Sequence, residues 1–314
     1  MEEVYNLSMG NIVQASRSSE RGALICILAR TLAFLLWPVV IMDRLVSSNS
    51  NKLKLLDFDF NLSRIFIYVH HSESRLLDDY DKQVLEEAKS SGFSTILVSN
   101  GEFNSAENTD YIFRKNRFGR DFGVLRDMAR SLTLNGNQTI SFFYLNNSMV
   151  WKKNGIFDLI NVLEKSKVNV LVFPTESFNP VHHVQPYFLF AKLEKDKFNH
   201  FSSSFNWIRN FHFRRSLIYL NEYRIARKLL DNDWKIQVLA PYWKLIETEN
   251  RVRQNKFEEL LDPTYKLYNP TQHMWKSLSK FHISGIKRSL IFKNPVGVKN
   301  SPTNARDALA SMYK

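Results

Sequence analysis

The densest group of side chains able to handle an anion lies between Arg114 and Gly123. There RKNRFGRDFG sets Asp121 among Arg114, Lys115, Arg117 and Arg120. A guanidinium presents its N–H donors in a planar fork that matches phosphate, and glycine lets backbone approach a ligand closely. Asp121 among these cations stays ionised and accepts hydrogen bonds from hydroxyls through two oxygens. The same residues also suit a helix-start loop in which Asp121 only caps or pairs. The tripeptide Asp121-Phe122-Gly123 is not a kinase signal, because no Gly-rich loop, strand lysine or HRD element accompanies it.

Further groups with chemistry sit just after short β-branched or aromatic runs. His70-His71 ends RIFIYVH, Asn100-Gly101 follows STILV, Asn146-Asn147-Ser148 follows ISFFYL, and Thr175-Glu176 follows VNVLVF. These runs predict strands at Arg64–His70, Ser94–Val98, Ile140–Leu145 and Val168–Phe173. Helical spacing predicts helices at Asp79–Ser90, Gly123–Leu132 and Leu159–Lys165 between them. Strand and helix in alternation imply an α/β fold, with a mostly parallel sheet and helices on both faces. Ligands of such sheets bind beyond the carboxyl ends of the strands, where the polar groups fall. Past Phe205 the texture turns helical and basic, notably at Ile218–Leu230 and Tyr242–Leu261.

Four segments follow from this pattern. Residues 1–50 hold an apolar run, 51–205 an α/β domain, 206–297 a mainly helical region, and 298–314 a polar tail. The apolar run, ALICILARTLAFLLWPVVIM from Ala23 to Met42, is long enough as a helix for one hydrocarbon core. Arg30 at its middle, Pro38, and the flanking Arg17, Arg21 and Arg44 favour an in-plane helix over a span. A buried core helix is the remaining alternative. Ser47–Asn51 reads as a linker.

A net charge of +12 attracts polyanions such as anionic lipid or phosphorylated small molecules. No zinc spacing or RNA-binding signature directs that charge to nucleic acid, which is not expected as a partner. The single cysteine, Cys26, allows no intramolecular disulfide and fits a reducing compartment.

Several blocks, taken together from Arg64 to Pro295, resemble the rhamnan synthesis protein F family. They are IFIYVHH, RKNRFGRDFGVLRD, YLNNSMV and HHVQPYFLFAK, followed by LNEYRIARKLLDNDW and NPTQHMWKSLSKFHISGIKRSLIFKNP. Their shared order carries the resemblance more than any one block. It implies a glycosyltransferase with a GT-A-like, Rossmann-like nucleotide-binding sheet, working in bacterial surface polysaccharide synthesis. The implied donor is a nucleotide sugar, with dTDP-rhamnose favoured, and the implied acceptor is a lipid-linked saccharide. The implied place is the cytoplasmic face of the inner membrane, against anionic lipid.

Under that resemblance, the donor side would use His70, Asn100, Arg114, Asn116, Arg117, Arg120, Asn146 and Asn147. Asp121 would contact the donor sugar or ribose, and Glu222 and His183 compete as the base for the acceptor hydroxyl. Gln185 and Tyr187 would shape the acceptor side. Adjacent His182 and His183 make a poor metal pair, because neighbouring side chains diverge on a strand. Three departures stand out. Asn147 replaces the family's Asp, Pro186 replaces a common Ser, and Gly119 is displaced within its block. Mg²⁺ or Mn²⁺ would normally be held at the strand end by carboxylates, so Asn147, the one metal ligand expected there, weakens any such site. An alternative is a catalytically impaired homologue that serves as a partner in an assembly complex.

Overall fold

The computed structural model describes residues 5–7, 59–60, 63–72, 76–101, 103, 105–114, 120–134, 139–178, 182–210, 217–248, 269–292 and 309. The apolar run at 23–42, the linker at 47–51 and most of the polar tail lie outside them, as do Asn116 and Arg117. Among the described residues, no helix is long and apolar enough to cross a membrane.

The first half begins with strands Tyr5–Leu7 (β1), Asp59–Phe60 (β2) and Arg64–His70 (β3), then helix Asp79–Ser90 (α1). Strands Ser94–Ser99 (β4) and Tyr111–Arg114 (β5) precede helix Arg120–Ser131 (α2) and the short strand Thr133–Leu134 (β6). Strands Ile140–Asn146 (β7) and Met149–Trp151 (β8) lead into helix Gly155–Leu163 (α3). Three strands follow, Val170–Ser177 (β9), His183–Gln185 (β10) and Phe188–Leu193 (β11), and then helix Lys195–Ser203 (α4). A π-helical turn at Ile218–Glu222 runs into Tyr223–Leu230 (α5), strand Lys235–Ala240 (β12) and helix Tyr242–Thr248 (α6). The last described elements are Pro270–His273 (α7), Trp275–Leu278 (α8), Gly285–Lys287 (β13) and Arg288–Phe292 (α9).

The main sheet has the order β1-β12-β9-β11-β7-β3-β4-β5, with β10 beside β9. β3 pairs in parallel with β4 on one edge and with β7 on the other, and β4 pairs in parallel with β5. β11 runs antiparallel between β7 and β9, whereas β12 rejoins β9 in parallel. The fold is therefore α/β with a mixed sheet, its parallel block centred on β3.

Alternate residues of each central strand enter separate cores, because successive side chains point to opposite faces. Ile65, Ile67 and Val69 pack with Val124, Leu125 and Met128 of α2, Phe201 of α4 and Leu229 of α5. Phe66 and Tyr68 pack with Val84 and Leu85 of α1, Ile156 and Leu159 of α3, and Leu245 of α6. Phe143 sits at the centre of an aromatic group on this second face. Its ring centroid lies 5.1 Å from Phe66 and 5.6 Å from Phe188, both edge-on. Such edge-on ring pairs are the favoured arrangement of aromatic quadrupoles.

Two expectations change. Lys235–Ala240 belongs to the region expected to be mainly helical, yet it is a strand of the main sheet. A run of only six residues between helical segments gives little alternation to read. Tyr5–Leu7, within the segment 1–50 that holds the apolar run, pairs antiparallel with that strand. Its backbone hydrogen bonds outweigh the weak signal of three residues.

Helix α3 begins without a side-chain cap of its own, and its Asn154 N-cap has a positive φ of 65°. Glu87 of α1 supplies the missing acceptor. Its carboxylate accepts from the main-chain N–H groups of Asn154 (2.6 Å), Ile156 (2.9 Å) and Phe157 (3.2 Å). Gln83 donates to the same carboxylate at 2.8 Å. Orphan N–H groups at a helix start favour negative charge, so one buried carboxylate locks α1 to α3. Replacing Glu87 with Ala should cost about 2–3 kcal/mol, since several donors lose a charged acceptor. Urea denaturation checks this, and Glu87→Gln should lose clearly less.

Candidate functional site

The chain leaves β3 to build β4 and β5 on one side, and then returns to place β7 on the other side. The carboxyl ends of β3 and β7 are thus a topological switch point, where open α/β sheets bind ligands. A cavity of about 220 Å³ opens beside the end of β7. Asp121, Asn146, Gln185, Tyr187 and Glu222, all expected as site residues, line it.

β7 holds Asp121 in two ways. Asn146 donates from Nδ2 to Asp121 Oδ2 at 2.8 Å, and the Tyr144 hydroxyl donates to the Asp121 carbonyl at 2.6 Å. Burial, with the Asp121 charge added, pushes the Tyr144 hydroxyl well above its usual range, so it remains a donor. Asn146 Oδ1 in turn accepts from the Ser148 N–H at 3.1 Å. Both ends of the Asn146 amide are thereby engaged, and the start of α2 is fixed to the strand end.

Gln185 is held as firmly. Its oxygen accepts from the Thr175 hydroxyl at 2.8 Å, and its nitrogen donates to Asn269 Oδ1 at 3.2 Å. Asn269 also caps α7 by accepting from the Thr271 N–H at 3.2 Å, which brings Thr271 to the cavity wall. Tyr187 is buried beside it, and burial raises its hydroxyl pKa far above the usual value.

Glu222 reaches the cavity from the π-helical turn at Ile218–Glu222. Wider turns of this kind occur often at functional sites. His183 Nε2 stands 3.9 Å from Glu222 Oε1, and the His183 ring lies 4.5 Å from that of Tyr223. The two residues expected to compete as a base are therefore neighbours. Glu222 lines the cavity, while His183 is buried against it.

Other expected residues lie elsewhere. Asn100 and Asn147 grip the chain beyond β3 from either side. Asn100 accepts from the Ser72 N–H at 3.1 Å and donates to the Ser72 carbonyl at 2.9 Å. Asn147 accepts from the His71 N–H and donates to the His71 carbonyl, both at 3.2 Å. Each amide extends the parallel ladder past the strand by imitating a backbone peptide. The Asn147 side-chain oxygen accepts the His71 N–H and carries no charge, so it would be a weaker ligand for a divalent cation than a carboxylate. Among the described residues, no group of three or more His, Cys, Asp or Glu is placed to hold a metal ion. Arg114 ends β5 and Arg120 begins α2, and their side chains fall outside the described residues.

His70 belongs to a buried polar network behind the site. Its Nδ1 lies 2.8 Å from the Ser99 hydroxyl and its Nε2 3.5 Å from Asp81 Oδ2. Tyr68 donates to Asp81 Oδ1 at 2.5 Å, Arg288 donates to the same oxygen at 2.6 Å, and Arg288 also pairs with Asp78. Burial pushes Asp81 up to about 6, and Arg288 holds Asp78 below its ordinary value although burial opposes this. Burial, and then the Arg288 charge, push His70 down to about 4. Sequence reasoning missed Arg288 and Lys287, the latter a cavity residue inside the last resemblance block. A two-residue pair of cations gave no periodic signal, and only their pairing with distant elements reveals them.

No protein-family model matches this chain, and a search of curated proteins also finds no match.

A depressed histidine pKa makes stability depend on pH. Between about 4 and the ordinary value of about 6.5, the unfolded chain binds more protons at His70 than the folded one. The stabilising contribution is complete above the upper limit and is lost as pH falls through the lower one. Wild type should therefore gain about 2–3 kcal/mol over His70→Gln as pH rises across this window. Chemical denaturation of both proteins from pH 4 to 7.5 measures the difference curve.

Proposed function

We propose that this chain is a glycosyltransferase of the rhamnan synthesis F type, moving a sugar from a nucleotide-sugar donor to a lipid-linked saccharide. One observation carries the reading. Every block of the resemblance after the first contributes to the same cavity. Asp121 comes from the second, Asn146 and Ser148 from the third, Gln185 and Tyr187 from the fourth, Glu222 from the fifth, and Thr271 and Lys287 from the last. Segments dispersed over most of the chain converge on one pocket at the switch point. A GT-A-like sheet fits the parallel block around β3, and dTDP-rhamnose remains the favoured donor.

The chemistry needs three contributions. The donor must be held by its hydroxyls, which suits the Asp121 carboxylate, held by Asn146 while Tyr144 fixes the main chain of the same residue. The acceptor hydroxyl must lose a proton, and Glu222 is the carboxylate facing the cavity for that role, with His183 behind it. Gln185 and Tyr187 bound the acceptor side. As the bond from the anomeric carbon to the acceptor oxygen forms, the bond to the diphosphate breaks, and the diphosphate leaves with the electron pair. Its charge needs cations. Work at the cytoplasmic face of the inner membrane suits a chain with a net charge of +12.

Thermal stabilisation across a panel of nucleotide sugars tests the reading, because a donor bound to the folded state raises the melting temperature by mass action. A shift with one nucleotide sugar is expected, and no shift with any of them would sink the proposal. Asp121→Asn keeps an oxygen for Asn146, so its melting curve should stay close to wild type while transfer falls at least about 100-fold. Glu222→Gln should bind donor normally and lose transfer to a similar degree. Donor binding by wild type without any turnover would favour the assembly-partner alternative, which the engaged Asn147 amide supports.

The same engagement of Asn147 leads to a metal prediction. Initial rates of metal-stripped protein should be unchanged, or raised only mildly, on adding Mn²⁺. Complete loss with chelator and full recovery with Mn²⁺ would show that other carboxylates hold the ion.

A further inference from the structure

Lys287 is a cation on the wall of a cavity that also presents two carboxylates, Asp121 and Glu222. Its position is closely determined. β13 pairs antiparallel with β8, setting Gly285 opposite Trp151, Ile286 opposite Val150 and Lys287 opposite Met149. Gly285 permits this approach, for a Cβ there would stand 3.2 Å from the Trp151 indole. Ile286 points into a small core with Val150, Trp275 and Leu290, so strand alternation turns Lys287 the other way.

The next residue fixes the far end of the strand. The Arg288 N–H donates to the Ser148 carbonyl at 2.8 Å, and its guanidinium is drawn to Asp78 and Asp81. Ser148 and Met149 line the cavity along with Lys287. The ammonium is thus carried on a strand anchored at both ends, which limits the entropy lost when it meets a ligand.

We propose that Lys287 binds the diphosphate of the donor and stabilises it as the leaving group. This rests on the nucleotide-sugar reading and adds the contact for the anionic half of that substrate. Asp121 and Glu222 repel phosphate and suit hydroxyls, so the charges divide the cavity between diphosphate and sugar. The Asn147 amide, already engaged, supplies no charge for a metal that would otherwise take this role. During transfer the diphosphate gains negative charge as it departs with the bonding electrons. An ammonium beside it contributes most at that moment.

Isothermal titration of the full chain with thymidine diphosphate, uridine diphosphate, inorganic pyrophosphate and thymidine tests the assignment. Lys287→Gln should raise Kd for the diphosphates roughly 10- to 100-fold, the scale of one hydrogen bond to a charged group. Thymidine, which lacks phosphate, should bind wild type and variant equally, and Lys287→Arg should recover most of the diphosphate affinity. In wild type, thymidine diphosphate should shield Lys287 from amine acylation, located by mass spectrometry, so the test does not depend on the variant folding. Unchanged diphosphate affinity in Lys287→Gln, or an unshielded Lys287, would overturn the assignment and leave the transferase reading standing. Failure of wild type to bind any diphosphate would overturn both. Binding of pyrophosphate alone, lost in Lys287→Gln, would keep the anion contact and overturn the nucleotide reading.

Discussion

A strand buried on both faces has no water for its backbone, so each of its edges must be met by another strand. β3 is in that position. Its residues from Ile65 to His70 are all buried, and β4 and β7 occupy its two edges. The cavity depends on this constraint, because it places the ends of three strands side by side. Where the ladder stops, the need for partners does not. The amides of Asn100 and Asn147 continue it over Ser72 and His71. Residues that look like ligand groups in the sequence are occupied with closing the end of the sheet, and Asn146, one position earlier, faces the pocket.

The second organising feature is the group of charges that joins the last described helix to the first. Asp78 and Asp81 form the capping box of α1, each accepting from the other's main-chain N–H. Arg288 then uses both carboxylates. Removing one partner of such a buried set leaves the others without compensation, so its members depend on one another. Through Arg288 the cap of α1 is tied to β13, and through β13 to the wall of the cavity. The site is therefore supported from the sheet on one side and from this ion network on the other.

Much of the sheet was legible because parallel strands buried on both faces read as continuous apolar runs. RIFIYVH and ISFFYL mark β3 and β7 almost to the residue, and Asp79–Ser90 is α1 with its bounds unchanged. Tyr5–Leu7 and Lys235–Ala240 were not legible, since short strands acquire their state from the neighbours they pair with. The site was partly visible. Asp121, Asn146, Gln185, Tyr187 and Glu222 lie in the blocks that carry the resemblance, and all of them line the cavity. Lys287 was not visible, because an isolated lysine has meaning only once β13 is laid against β8. His70 is ambiguous in sequence for a related reason. A histidine at a strand end looks the same in sequence whether it faces a ligand or, as here, Asp81 and Ser99.

The bond between Arg288 and Asp78 also closes a loop of 210 residues. Closing such a loop costs more chain entropy than closing a short one, and the contact must repay that cost. The parallel block from β3 to β7 uses shorter connections, which close at a smaller cost in chain entropy. During synthesis, moreover, residue 288 leaves the ribosome after nearly all of the sheet has emerged. The pocket thus takes one side from the ends of central strands and another, at Lys287, from a segment far along the chain. Competence to hold a ligand there depends on a long-range contact that the main sheet alone does not supply.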